Sequence, residues 1–324
     1  MTSELALWQA DERPPVLLLV GATATGKTTL SLELAERLNA EIVSADSRLF
    51  YRGLDIGTAK PTLLERARVP HHLIDIADPD QGISLAEFQR LAHEAITDIV
   101  SRARLPLLVG GTGQYVRAVT AGWRPPLVRP NENLRIVLQD LTAERGQDWL
   151  HQRLRDLDPE AASGIDARNA RRTIRALEVI LTTGRRFSQQ RARGESPYRV
   201  IMIGIRRPRP ELYRRIDNRI EEMWRRGLLD ETRRLLDQGY KLDLPAMSAI
   251  GYSQCIRVIR GQIRPEQAIA EMRRATRAFV RRQSNWFKES DPDIAWFDAD
   301  RPDVVDLIEG HVRAALGRRL SDNR

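Results

Sequence analysis

One short segment restricts the fold of this 324-residue chain more than any other. The sequence GATATGKT, residues 21–28, matches the phosphate-loop pattern G-x-x-x-x-G-K-[ST] at every fixed position. The apolar run PVLLLV (15–20) precedes it, and TLSLELAERLN (29–39), with apolar residues at helical spacing, follows it. Strand, glycine-rich loop and helix in this order are the context that the pattern requires. The sequence therefore predicts a phosphate-binding loop after a buried parallel strand.

Further along the chain, short apolar runs alternate with segments of helical periodicity. We predict a second strand over AEIVSA (40–45), which ends at Asp46, a third over LPLLVG (105–110) and a fourth over YRVIMIGI (198–205). A helix is predicted over residues 84–104. Strands that alternate with helices indicate an α/β fold, with a P-loop NTPase-like parallel sheet flanked by helices.

The character of the sequence changes near residue 124, and no convincing strand appears before the fourth strand. This pattern predicts an all-helical insertion domain within the α/β core. The predicted boundaries are 1–123 and 198–300 for the two parts of the core, 124–197 for the insertion, and 301–324 for a C-terminal helix and tail. We also predict helices over 209–237, 265–288 and 302–317 and a strand over 293–299.

Arginine dominates the charge of the chain: only four of its 52 basic side chains are lysines, and the formal net charge is +8. Arginine forks match phosphate geometry and stack on bases, which favours a nucleic-acid partner. A bias of the source genome toward arginine codons would produce the same composition. Charge alone therefore leaves both explanations open.

Several kinds of site and location are excluded or disfavoured by the sequence. The single cysteine, Cys255, excludes a disulfide framework and a cysteine-ligated zinc site. His71 and His72 are expected to be structural, and no metal is assigned to them. No apolar run approaches the roughly 18 residues of a membrane span, and the acidic N-terminus MTSELALWQADERPP does not resemble a signal peptide. We expect a soluble, cytoplasmic protein without a membrane partner.

The phosphate loop predicts how an anionic ligand is held. Its backbone amides and the N-terminus of the following helix point at the anion, Lys27 reaches the distal phosphate, and the Thr28 hydroxyl ligates Mg²⁺. A nucleotide hydrolase also carries an acid at the end of a neighbouring strand. The strand 105–110 ends in glycines, so Asp46 is the acid expected beside the loop. The alternative roles of Asp46 are to cap a helix or to contact the ligands of the metal ion without binding the metal itself.

Seven segments of the chain form a more specific pattern. In chain order they are GATATGKT (21–28), VSADSRLFYRGLDIGTAKP (43–61), PHHLIDI (70–76), LPLLVGGTGQYVRAV (105–119), RRTIRALEV (171–179), AIGYSQ (249–254) and TRAFVRRQSNWFK (276–288). The second is the most distinctive, because a generic nucleotide-binding protein has no need of it. Together, over nearly the whole chain, they resemble the bacterial tRNA dimethylallyltransferases, also called tRNA isopentenyltransferases.

The resemblance implies a reaction other than phosphoryl transfer. In that family the phosphate loop holds the diphosphate of dimethylallyl diphosphate. The exocyclic amine of the adenine on the 3′ side of the tRNA anticodon attacks the allylic carbon, and diphosphate leaves. The implied partners are dimethylallyl diphosphate and the anticodon stem-loop of tRNA. Mg²⁺ is the expected cofactor and a monomer the expected state.

The resemblance also assigns roles to individual residues. Asp46 would steer or take the proton of the weakly nucleophilic amine, Thr112 would line the channel between the substrates, and Lys27 would stabilise the leaving diphosphate. Thr28 is the one metal ligand implied. The diphosphate-binding set is Gly21, Ala22, Thr23, Ala24, Thr25, Gly26, Lys27, Thr28 and Arg219. The tRNA-binding set is Asp46, Ser47, Arg48, Leu49, Thr112, Arg135, Arg171, Arg172, Arg175, Arg281, Arg282, Gln283 and Trp286.

Two arginine clusters supply much of the predicted RNA surface. One holds eight arginines between residues 166 and 193, and the other holds five arginines and a lysine between residues 271 and 288. Such clusters track phosphates and bind less tightly as the salt concentration rises. Beside the second cluster, Trp286 and Phe287 either stack on a splayed base or belong to the core.

Three other functions stay open at this point. A P-loop small-molecule kinase would explain residues 15–40 but not the later segments. An isopentenyltransferase for free adenine nucleotides would have no use for the arginine-rich insertion. A non-catalytic RNA-binding protein would have no use for Lys27, Thr28 and Asp46.

Overall fold

A computed structural model describes residues 13–126, 128, 130–190 and 192–317. Sequence predictions for residues 1–12, Arg191 and the tail 318–324 lie outside these ranges. The described chain divides into two compact units. The first unit runs from the start of the described chain to Ile83, from Phe88 to Thr120 and from Ser196 onward, and the second comprises Ser84–Glu87 and Ala121–Glu195.

The first unit is built on a parallel sheet, as predicted. The strands of the chain are β1 (Pro15–Gly21), β2 (Ala40–Ser44), β3 (His71–His72), β4 (Leu105–Gly110), β5 (Trp123–Arg124), β6 (Ala192–Arg193), β7 (Arg199–Arg206) and β8 (Ile294–Asp298). All except β5 and β6 belong to one sheet with the order β3-β2-β4-β1-β7-β8, and every pairing in it is parallel. The central strand β1 places Leu17 beside Leu107 and Ile201.

Most of the helices belong to the first unit, and those between residues 132 and 183 belong to the second. The helices are α1 (Lys27–Arg37), α2 (Leu63–Arg68), α3 (Leu85–Ser101), α4 (Gly113–Thr120), α5 (Glu132–Arg145), α6 (Gln147–Leu157), α7 (Pro159–Ser163), α8 (Ala170–Thr183), α9 (Arg209–Arg225), α10 (Leu228–Asp237), α11 (Tyr252–Ile259), α12 (Pro265–Ser284) and α13 (Val304–Gly317). Within the described ranges, none of these helices has the combination of length and apolar character that a membrane crossing needs.

Burial on both faces explains the continuous apolar run of β1. Leu17 and Leu19 pack on one face of the sheet in a cluster that includes residues of α1 and α13. Leu18 and Val20 pack on the other face, with residues of α3 and α4. Because a parallel strand covered on both faces needs apolar side chains at every position, the sequence shows no alternation there.

The second unit departs from the predicted all-helical insertion. Helices α5 to α8 surround a small core that includes Leu138, Leu150 and Leu177. However, β5 and β6 form a short antiparallel pair within the same unit. The backbone N–H of Gly194 donates to the Gly122 carbonyl at 2.9 Å next to this pair. These contacts close the segment upon itself within the unit formed by Ser84–Glu87 and Ala121–Glu195.

Several predicted helices were too long. The segment 209–237 is two helices, because Gly227 between them has a left-handed φ of 93°. The segment 265–288 is helical only as far as Ser284, so the aromatic residues that follow lie in a turn. The helix predicted over 84–104 ends at Ser101, shortly before Ala103 adopts a φ of 53°.

Candidate active site

A cavity of about 510 Å³ lies in the first unit, at the carboxyl ends of β1, β2 and β4. Its walls come from the phosphate loop, from the residues that follow β2 and β4, from the loop 58–61 and from one face of α9. The carboxyl ends of parallel strands are the usual place for a ligand in an open α/β sheet. The cavity is therefore the candidate active site.

The phosphate loop adopts the backbone that its glycines permit. Gly26, the residue before α1, has a φ of 105°, and Ala24 is held at a φ of 68°. The Lys27 ammonium donates to the carbonyls of Gly21 at 2.9 Å and Ala22 at 2.7 Å. The loop residues on the cavity wall are Thr23, Ala24, Gly26, Lys27 and Thr28.

The other three predicted loop residues do not line the cavity. A Cβ atom at Gly21 would lie 2.5 Å from the carbonyl oxygen of Ile205, so the close approach of β7 requires glycine there. Thr25 is buried, and its hydroxyl donates to the Ala22 carbonyl at 2.8 Å. Gly21, Ala22 and Thr25 therefore shape the loop, and their contact with the diphosphate stays a prediction.

Cationic side chains converge on the cavity. Burial, together with the nearby positive charge of Arg219, lowers the pKa of Lys27 to about 8, although the Asp46 carboxylate acts in the opposite direction. Burial also lowers the pKa of Arg219. Two cations held together with incomplete hydration indicate a site for an anion, whose charge would favour both protonated forms.

One face of α9 contributes residues that the sequence analysis largely missed. Besides the predicted Arg219, the lining residues of this helix are Arg215, Asn218 and Glu222. The Arg215 guanidinium donates to the Ala24 carbonyl at 2.9 Å, and Arg207, just before the helix, donates to the Thr25 carbonyl at 2.9 Å. The helical spacing of 215, 218, 219 and 222 is the sequence signal that could have identified this face.

Asp46 lies two residues after the end of β2 and lines the cavity, as the sequence predicted. One of its carboxylate oxygens accepts the backbone N–H of Arg48 at 3.0 Å, which fixes the turn. Leu49 is also on the wall, whereas Ser47 and Arg48 are not. The Arg48 guanidinium instead donates to the Pro245 carbonyl at 2.6 Å.

Gln283, one of the predicted tRNA-binding residues, is buried, and its RNA contact stays a prediction. Its side-chain carbonyl accepts the backbone N–H of Thr23 at 2.9 Å and the Thr23 hydroxyl at 3.2 Å. Its amide group donates to the Gly111 carbonyl at 3.2 Å. A Cβ atom at Gly111 would lie 2.3 Å from that amide nitrogen. Gln283 therefore joins α12, the phosphate loop and the end of β4 on the cavity wall.

Of the two aromatic residues after α12, one lies at the surface and the other in the core. Phe287 is buried in the core, whereas Trp286 remains 36% exposed. The Trp286 ring covers Gly113, and the Arg117 guanidinium lies 5.8 Å from the ring centroid. Thr112 is not a lining residue; its carbonyl accepts the backbone N–H groups of Tyr115 and Val116 at the start of α4.

Apart from Arg48, the predicted RNA-binding arginines fall into two groups. Arg171 and Arg172 on α8 and Arg281 and Arg282 on α12 are exposed. Arg135 and Arg175 instead form ion pairs, at 2.9 and 2.6 Å, with the buried carboxylate of Glu178. These two guanidinium groups are engaged within the second unit. The tRNA roles of all six arginines stay predictions.

His71 lines the cavity, whereas the sequence analysis expected a structural pair. Its Nδ1 lies 2.7 Å from the Val69 carbonyl, so this nitrogen donates. Burial lowers the pKa of His71, which favours the neutral ring. His72 instead contacts the buried carboxylate of Glu41 at 2.7 Å.

The cavity suits a divalent cation that is shared with a ligand. No group of three or more acidic, histidine or cysteine side chains in the described part of the chain could hold a metal ion alone. The lining residues do include the hydroxyl of Thr28, the predicted metal ligand. Mg²⁺ prefers such oxygen ligands and usually completes its coordination with substrate phosphates and water. The Thr28 hydroxyl therefore fits Mg²⁺ bound together with a phosphate ester.

Known proteins share both the sequence and the fold. A family model described as IPP transferase matches residues 49–290. A tRNA dimethylallyltransferase of a Roseiflexus species is 51% identical over 290 residues, covering 90% of this chain and 95% of its own. The crystal structure of tRNA isopentenylpyrophosphate transferase from Bacillus halodurans is 40% identical, with a TM-score of 0.71 and coverage of 95% and 98%. A eukaryotic dimethylallyltransferase acting on tRNA shares the fold, with a TM-score of 0.75 at 24% identity over 96% of this chain and 80% of its own.

Proposed function

Because the chain belongs to the IPP transferase family, we propose that it transfers the dimethylallyl group of dimethylallyl diphosphate to tRNA. The acceptor is the exocyclic amine of the adenine on the 3′ side of the anticodon. The observation that carries this proposal is the cavity in which a phosphate loop, cationic side chains and Asp46 meet. The names of the relatives support this activity, and they support neither a small-molecule kinase nor an isopentenyltransferase of free adenine nucleotides.

The phosphate-loop side of the cavity binds the leaving group. Backbone amides of the loop, Lys27 and Arg219 meet the diphosphate oxygens on which negative charge grows as the carbon–oxygen bond breaks. Mg²⁺ held by the Thr28 hydroxyl would supply further positive charge to the same oxygens. Removal of one such preorganised donor typically costs about 3–4 kcal/mol of barrier.

Asp46 acts on the other substrate. The adenine nitrogen forms a bond to the allylic carbon as the carbon–oxygen bond breaks, and the electron pair of that bond leaves with diphosphate. The nitrogen then carries a surplus proton, which the Asp46 carboxylate orients and accepts. The hydrogen bond from the Arg48 backbone holds this carboxylate on the cavity wall.

Recognition of the RNA is assigned to the exposed arginines and to Trp286. Arg171, Arg172, Arg281 and Arg282 would contact phosphates of the anticodon stem-loop. Trp286, half-exposed beside Gly113, offers a ring on which a displaced base would stack. The enzyme would act in the cytoplasm as a monomer.

Acceptor competition tests this function. The protein is incubated with Mg²⁺ and dimethylallyl diphosphate labelled in its carbon chain, together with unmodified tRNA, an anticodon stem-loop, AMP or buffer alone. We expect label only in the two RNA acceptors. Label in AMP would instead identify a nucleotide-directed enzyme, and no transfer to any acceptor would refute the proposal. Removal of Mg²⁺ with a chelator should abolish transfer, and added Mg²⁺ should restore it.

A further inference from the structure

Two segments singled out in the sequence have no part in the proposed chemistry. DIGTAKP (55–61) begins nine residues after Asp46, and AIGYSQ (249–254) lies almost two hundred residues later. In the structure both segments contact the same side chain, Glu231 of α10. Glu231 belongs to neither segment, and sequence analysis gave it no role.

Glu231 is a buried carboxylate with an unusually complete set of donors. Its side chain accepts the backbone N–H groups of Asp55 at 3.3 Å, Ile56 at 2.9 Å and Gly57 at 3.3 Å. The Tyr252 hydroxyl donates to it at 2.6 Å. Three successive amides that converge on one anion form a concave nest, which fixes the backbone of the loop.

Packing reinforces the same contact. A Cβ atom at Gly57 would lie 2.5 Å from the Tyr252 ring, so the loop backbone lies directly against that ring. Burial and the Glu231 carboxylate both raise the pKa of Tyr252, which keeps its hydroxyl a donor. Three residues after Gly57, the buried ammonium of Lys60 donates to the Tyr51 carbonyl at 2.9 Å and to Asp75 at 2.6 Å.

The loop held in this way supplies part of the cavity wall. Thr58, Ala59 and Pro61 line the cavity, and Ala59 has a left-handed φ of 48°. A strained conformation persists only where the surrounding structure determines it. We propose that Glu231 is a positioning residue for the transfer reaction, and that Tyr252 acts through it to fix the wall at residues 58–61. This inference rests on the proposed function.

The chemistry explains why a carboxylate is needed at this position. Glu231 faces only donors, namely three amides and a hydroxyl. A glutamine would replace one acceptor oxygen with an amide group that is itself a donor. At least one buried N–H or O–H would then lose its partner, and the loop would shift to regain one. Tyr252→Phe removes a single donor while it keeps the ring against Gly57.

Steady-state kinetics with three variants tests the inference. Glu231→Gln, Tyr252→Phe and the double variant are assayed at saturating tRNA, well below the melting temperature of each. We expect the KM for dimethylallyl diphosphate to rise at least tenfold in Glu231→Gln and about threefold in Tyr252→Phe. The double variant should be no worse than Glu231→Gln, because Tyr252 acts through Glu231.

Asp158→Asn is the matched control. Asp158 is likewise buried and accepts two backbone N–H groups, from Ala161 at 3.0 Å and Ser188 at 2.8 Å, but it lies in the second unit and lines no part of the cavity. This variant should lower the melting temperature and leave the KM for dimethylallyl diphosphate unchanged.

The outcomes separate the inference from the proposed function. An unchanged KM in Glu231→Gln, or additive effects in the double variant, would overturn the positioning role. If Glu231→Gln does not fold, Tyr252→Phe decides: an unchanged KM in that variant would overturn the inference as well. Absence of transfer by the wild-type protein would instead refute the proposed function.

Discussion

Asp46 is the residue on which the transfer chemistry depends most directly. Its carboxylate accepts the Arg48 backbone N–H at 3.0 Å, so a local turn sets its direction. Its charge also opposes the lowering of the pKa of Lys27 and of Arg219. One carboxylate is therefore close enough to influence both cations of the proposed diphosphate site. The expected base and the expected leaving-group contacts thus occupy one connected site.

Replacement of Asp46 by alanine should separate chemistry from RNA binding. We expect Asp46→Ala to lower the single-turnover rate by roughly 10²–10⁴-fold, the usual contribution of general acid–base catalysis. The tRNA dissociation constant should change much less, because many phosphate contacts contribute to it. Rapid-quench transfer assays and filter binding measure the two quantities.

Asp291→Ala is the control for the local turn around Asp46. Asp291 accepts the backbone N–H of Asp293 at 3.1 Å, the same contact two residues along the chain, but it does not line the cavity. This control should leave the rate and the RNA affinity unchanged. An equal collapse of rate and affinity in Asp46→Ala would show that Asp46 is structural.

At the scale of elements, the sequence predicted what local pattern determines. Continuous apolar runs identified β1, β4 and β7, and the phosphate-loop pattern identified the start of α1. Prediction from the sequence failed for elements that depend on pairing with residues distant in the chain. The two-residue strand β3 exists only because His71 and His72 pair with Ile42 and Val43 of β2, and no two-residue pattern predicts that.

In the candidate site too, residues within local motifs were predicted, whereas residues fixed by distant contacts were not. The loop residues, Asp46 and Arg219 were predicted because a motif or a family resemblance contains them. The contacts of Gln283 with the phosphate loop and the end of β4 were not predicted, because its partners lie 260 and 172 residues earlier in the chain. Glu231 was missed because three of its four partners are backbone amides, which leave no trace in the amino-acid composition, and the fourth, Tyr252, lies 21 residues away. Tertiary contacts of this kind cannot be read from local periodicity.

Glu41 links several elements at the start of β2 and predicts an acid-dependent loss of stability. Its buried carboxylate binds Arg102 after α3, Arg104 before β4 and His72 of β3. The hydrogen bond from Arg102 is the largest cause that lowers the pKa of Glu41 to about 2. Because the folded pKa lies below that of the unfolded chain, the stabilisation is complete above about pH 4.5. It is lost as the pH falls from there toward 2.

We therefore expect Glu41→Gln to lower the free energy of unfolding at pH 7 by about 1–2 kcal/mol, since solvent at the half-exposed Arg102 screens part of the interaction. The difference from wild type should shrink as the pH is lowered from 4.5 to 2. Urea denaturation across this range measures it. Glu36→Gln, which removes the exposed pair with Arg68, should change stability little at any pH. A wild-type-to-variant difference at Glu41 that did not depend on pH would contradict the linkage.

At the scale of the whole molecule, an excess of arginine gives the chain its net charge of +8, but not every arginine is available to RNA. Glu178 holds Arg135 and Arg175 within the second unit. Arg171 and Arg172 in the second unit and Arg281 and Arg282 in the first are exposed. Composition alone cannot distinguish these groups, because the difference lies in what each guanidinium contacts. The exposed pairs are therefore the ones to test.

Salt dependence of tRNA binding measures how many phosphates these pairs contact. Each lost contact should reduce the slope of log affinity against log salt by about 0.7–0.9. We expect Arg171→Gln/Arg172→Gln and Arg281→Gln/Arg282→Gln each to lower the slope by roughly 1.4–1.8, and the combined variant to show the sum.

The control must remove the same net charge from a surface with no predicted RNA role. Arg301→Gln/Arg313→Gln meets this condition, since both side chains are more than half exposed and Arg313 lies on α13. Its slope should equal that of the wild type, because counterion release depends on phosphates contacted and not on total charge. An equal reduction in control and test variants would mean that net charge alone governs binding. An unchanged slope in one test pair would remove that pair of arginines from the RNA surface.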